Sequence, residues 1–85
     1  MTDNERTLYS CLKKFWSLAR ERKYKFFRED GRDWLSTSVD NLLKHSKLSK
    51  EELLNALFAL KADDRIDFKV TVYENRDCLS FTNNW

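Results

Sequence analysis

A single histidine, His45, and two cysteines, Cys11 and Cys78, are the side chains of this 85-residue sequence most suited to metal binding or nucleophilic chemistry. Their spacing supports neither. A zinc site needs several ligands close together, and the sequence has no C-x-x-C pair and no second histidine. The serines stand outside any G-x-S-x-G elbow and without a histidine placed to activate them. Glu51-Glu52 and Asp63-Asp64 are adjacent carboxylates, but each has a structural reason: the first suits the opening turn of a helix, the second a turn before a strand. One Gly and no Pro leave little material for a phosphate-cradling loop. The sequence therefore predicts a protein that is not an enzyme, with no metal and no cofactor, and His45 is expected near the carboxy end of a helix, where a cation is favoured.

Charge is more informative. From Lys13 to Arg28 there are seven basic residues (Lys13, Lys14, Arg20, Arg22, Lys23, Lys25 and Arg28) against Glu21, a local balance of +6 within a net charge of +2. The rest of the sequence is about −4, so a surface for an anionic partner such as nucleic acid is expected to begin at this segment. The competing reading is a solvated helix face held by i,i+4 partners. Tyr24, Phe26 and Phe27 are interleaved with these charges, either to stack on bases or to anchor the following loop to the core.

The elements that must position these residues follow from composition and period. A hydrophobic fraction of 41% and twelve aromatics indicate a lean, folded core rather than disorder. Charges are too evenly interspersed for a membrane span, and the charged amino terminus lacks a signal-like apolar stretch, so a cytoplasmic, membrane-free protein with reduced thiols is expected.

Leu8, Leu12, Phe15, Leu18 and Ala19, widened by Tyr9 and Trp16, predict an amphipathic helix over about 2–22, capped by Asp3 or Asn4. Residues 28–33 read as a polar loop around Gly31, and 34–36 as a short strand. Thr37 or Ser38 caps a second helix over 38–46 carrying Val39, Leu42 and Leu43 inward. Ser49 and Glu52 form a capping box for a third helix over 50–62 that buries Leu53, Ala56, Leu57 and Leu60. The period then changes to two, and Ile66, Phe68, Val70 and Val72, a polar turn, and Cys78 to Thr82 predict an antiparallel hairpin over 66–82. The fold class is α+β, in the order α-β-α-α-β-β, as one domain.

That order, with Leu57 and Leu60 three apart, Asp64 where a glycine is common, and Ile66 opening the hairpin, resembles the winged-helix branch of helix-turn-helix domains over residues 5–82. The resemblance implies binding to double-stranded DNA, as a transcriptional regulator or a replication or recombination accessory factor. The third helix would present Lys50, Glu51, Leu54, Asn55 and Phe58 to a major groove, and the wing would place Lys69, Asn75 and Arg76 beside the backbone or the minor groove. Arg20, Arg22, Lys23, Lys25 and Arg28 would add phosphate contacts. The family also pairs through first helices, which makes Tyr9 and Trp16 a candidate homodimer seam, the alternative being that both rings cover the hairpin of a monomer. Glu51 at a phosphate-lined groove and the apolar pair Leu54 and Phe58 point to another use of the third helix, as a surface for a protein partner anchored by those two side chains.

Overall fold

In the computed structural model, residues 1–21 and 26–84 are described. Three helices, α1 (Asp3–Glu21), α2 (Val39–Ser46) and α3 (Lys50–Ala62), accompany four strands, β1 (Phe27–Glu29), β2 (Arg32–Ser38), β3 (Ile66–Tyr73) and β4 (Arg76–Asn83). The strands form an antiparallel sheet in the order β1-β2-β4-β3, giving an α+β fold. No described helix is long and apolar enough to cross a membrane.

The helices start where side chains satisfy the first free amide groups. Ser38 accepts from the Asn41 amide, and Ser49 and Glu52 form the reciprocal capping box of α3. The backbone amide of Ser49 donates to the Glu52 carboxylate, which holds that carboxyl below its ordinary range. Thr2, rather than Asp3 or Asn4, caps α1: its hydroxyl accepts from the Glu5 amide while its own amide donates to the Glu5 carboxylate. The signal was present as Thr2-x-x-Glu5.

Residues 28–33 are not a loop, and the strand at 34–36 is longer than expected. Asp30 and Gly31, both at positive φ, make a two-residue turn joining β1 to β2, so the hairpin contributes an extra strand before α2. An Asp-Gly pair is a strong short-range hairpin signal, obscured here by the surrounding charges. The β3–β4 hairpin turns on Glu74 and Asn75 in the same manner.

Alternation divides the sheet into two faces. Leu35, Leu79, Phe81, Ile66 and Phe68 join Leu8, Leu12, Trp16, Leu42, Leu53, Leu57 and Leu60 in the main core under the helices. On the other face Ser36 and Ser80 share a hydrogen bond of 2.8 Å, Thr82 donates to the Asp33 carbonyl, and Trp34 is buried beneath Phe27 and Lys69. Leu79, Ser80, Phe81 and Thr82 are consequently all buried, because β4 is covered on both sides.

Asp64, at the position where a glycine is common, has φ +56°. An L-residue adopts this conformation at a cost that Asp tolerates better than most and Gly avoids. Replacing Asp64 with Gly is expected to stabilise the fold by about 0.5–1 kcal/mol, read as a rise in the urea midpoint at unchanged slope.

Candidate functional site

The exposed side of α3 carries two different surfaces. Lys50, Leu54 and Phe58 recur every fourth residue and face the strand β3, whereas Glu51 and Asn55 point away from the sheet and Glu52 turns toward α1, where Asn4 donates to its carboxylate. At one end of the stripe the Lys50 ammonium lies 3.5 Å from the Asp77 carboxylate, tying the start of α3 to β4. Toward the other end the Phe58 ring meets the Phe68 ring of β3 edge-on at 5.3 Å.

Between these ties the surface is apolar and open. Phe58 is 60% exposed, and Leu54 is exposed beside it. On β3, Val70 and Val72 share the face of Phe68 but reach past the part of the strand that the core covers, with 50% and 70% exposure. Asp77 pairs in register with Val72, so the Lys50 contact confirms that this face of the hairpin looks toward α3. Exposed apolar side chains grouped on one side of a small domain are the kind of surface an interaction site requires.

The charges expected to meet a nucleic acid are arranged otherwise. Lys69 is turned to the opposite face of the sheet, where its ammonium lies 2.7 Å from Glu29 and 4.5 Å from the centre of the Trp34 ring; the hydrogen bond it donates to the Glu29 carboxylate raises its pKa. The two-residue period puts it there, one position out of step with Phe68 and Val70. Arg28 binds Asp33 and the Gly31 carbonyl, bracing the β1–β2 turn. Arg20 lies over the Trp16 ring. Asn75 and Arg76 are exposed at the hairpin tip. Arg22, Lys23, Tyr24 and Lys25 lie outside the described residues. Over residues 50–85, which hold α3 and the β3–β4 hairpin, five basic residues stand against seven acidic ones.

Tyr9 and Trp16 do not form a seam on the surface. Both are buried within the single chain: Trp16 packs on Phe26 at 4.8 Å and on Phe81 at 5.9 Å, and the Arg65 guanidinium covers Tyr9. The width of the α1 stripe is explained by what lies on its two flanks, Arg65 over Tyr9 and Phe26 with Phe81 against Trp16. Phe26 thus anchors the chain to the core, while Phe27, on the other face, stacks on Trp34.

Comparison with protein-family models, curated proteins and solved structures gives no match.

Among the described residues no three His, Cys, Asp or Glu side chains are grouped to hold a metal ion. The His45 ring packs edge-on against Phe15 at 5.2 Å, in a shallow groove shared with Leu18, Thr37 and Asn41. Burial raises the Cys11 thiol above its ordinary pKa, which favours the unreactive protonated form.

Proposed function

We propose that this chain is a winged-helix module that works by protein association, with α3 and β3 as its docking face. Three helices, extended structure before α2 and a hairpin directly after α3 support the winged-helix assignment; the β1–β2 hairpin is an addition to the pattern that the resemblance implies. The observation that carries the functional reading is the exposure of Phe58 in contact with Phe68, continued by Leu54, Val70 and Val72. Burying such side chains against a partner gains roughly 1.5–3 kcal/mol each. A net negative α3 and hairpin would repel a phosphate backbone instead.

Duplex DNA binding is the second reading, favoured by the basic segment that includes exposed Lys14 and Arg20. Titrating a labelled mixed-sequence duplex at low and moderate salt with the unaltered protein and with Asn55→Ala tests both. On the association reading, Asn55→Ala leaves any duplex affinity unchanged. A salt-dependent complex weakened tenfold or more by Asn55→Ala, equivalent to about 1.4 kcal/mol, would overturn it.

A further inference from the structure

The docking face ends at a free strand edge, and the hydrogen-bonding groups along that edge have a definite pattern. Strand β3 is the last strand of the sheet, so one side of its backbone faces outward. In a hairpin closed by two residues, the flanking pair Tyr73 and Arg76 exchanges hydrogen bonds, and the alternation then directs Thr71, Lys69 and Asp67 toward β4. The groups of Phe68, Val70 and Val72 point away from the sheet. Two contacts agree with this phase: the Asn84 amide donates to the Arg65 carbonyl, and the Phe68 amide donates to its neighbour's Asp67 carboxylate rather than to β4.

That carboxylate closes one end of the edge. Asp67 satisfies the Phe68 amide at 2.8 Å, and Lys61 wraps around the same end, 3.3 Å from Asp67 and 5.4 Å from the centre of the Phe68 ring. Charges placed in this way protect a strand edge from pairing. Val70 and Val72 differ: among the described residues no other strand pairs with their edge, and both side chains are exposed.

We propose that this open edge is the docking strand of a homodimer, in which β3 pairs antiparallel with β3 of a second copy about a two-fold axis through Thr71. The occupant follows from the pattern of free groups. In this register Val70 exchanges both backbone hydrogen bonds with the partner's Val72, and Val72 does the same with the partner's Val70. Phe68 is left in its contact with Asp67, so the pairing uses the open groups and none that are already satisfied. The four valines become neighbours on one face, flanked by Leu54 and Phe58 of each copy, and the interface is the same patch on both sides, as a two-fold requires. On the opposite face Thr71 meets the partner's Thr71 as a directly opposed pair. The proposal rests on the association reading above and names its occupant.

Light scattering after gel filtration of the whole chain, from micromolar to millimolar concentration, is expected to show conversion from the mass of one chain to that of two. Because each docking half has an excess of acids, added salt should tighten the dimer, the opposite of its effect on nucleic-acid binding. Val70→Lys, at an exposed position, should keep the circular dichroism spectrum and weaken dimerisation by roughly a hundredfold or more. An independent variant fixes the register. Thr71→Cys, made with Cys11→Ser and Cys78→Ser because Cys78 lies opposite Thr71 within the chain, should oxidise to a disulfide-linked dimer, while Tyr73→Cys in the same background should not. A one-chain mass throughout, or a dimer indifferent to Val70→Lys, overturns the proposal. The duplex titration separates the two failures: a monomer whose α3 is indifferent to duplex loses only the second copy, whereas a monomer that binds duplex through Asn55 loses the docking face as well.

Discussion

Phe81→Ala is expected to cost this protein more stability than the corresponding truncation of Trp34. The ring is fully buried in β4, opposite Leu35 on one side and Phe68 on the other, and it supports Trp16 of α1. It is therefore a point where the helix layer and three strands meet. Truncating a buried Phe to Ala costs about 3–5 kcal/mol, through lost transfer free energy and a cavity that close-packed neighbours fill only in part. A domain of this length has about 4–13 kcal/mol in all. Urea unfolding followed by circular dichroism should show the midpoint falling by about a quarter or more. Phe81→Leu, which keeps much of the volume, should lose less than half as much; equal losses would show that the site collapses around either side chain.

Trp34→Ala is the second large effect, and it acts on the other face of the sheet. The Trp34 ring is buried although it lies outside the main core, because Phe27 stacks on it, Lys69 crosses it and its indole N–H donates to the Glu29 carbonyl at 3.0 Å. Its loss opens a space lined by Ser80, Thr82 and the charged pair Lys69 and Glu29, into which water can enter. The cost is expected near the lower end of the large-to-small range, about 3 kcal/mol, and the β1–β2 hairpin should loosen first. Amide exchange resolves this: residues 27–34 should lose protection by a larger factor than α3. Uniform loss would mean that the hairpin and the helical core unfold as one unit.

These two residues also show where local pattern was sufficient and where it was not. The capping box at Ser49 and the change of period at Ile66 are properties of a few neighbouring residues, and the structure has them as expected. The β1–β2 hairpin was legible in Asp30-Gly31 but concealed by a run of charge. Trp34 and Leu35 are consecutive and both buried, which a strand with one covered face does not allow; the reason is a second layer that only the folded hairpin supplies.

The amino-acid sequence by itself determined the three helices, the inward residues of α3 and the β3–β4 hairpin, because helix and strand periods are set by backbone geometry and each inward side chain is recognisable from its spacing. Tertiary structure decided what each element meets. It placed Tyr9 and Trp16 inside, because Arg65 covers the one ring while Phe26 and Phe81 pack against the other. It sent Lys69 to Trp34 and Glu29, away from α3, and it left Phe58, Val70 and Val72 outside. Periodicity identifies the residues that share a face, but the length of the element packed against that face determines which of them are covered. Here the covering ends near Phe68, and the uncovered remainder of β3 is the part to which we assign the docking function.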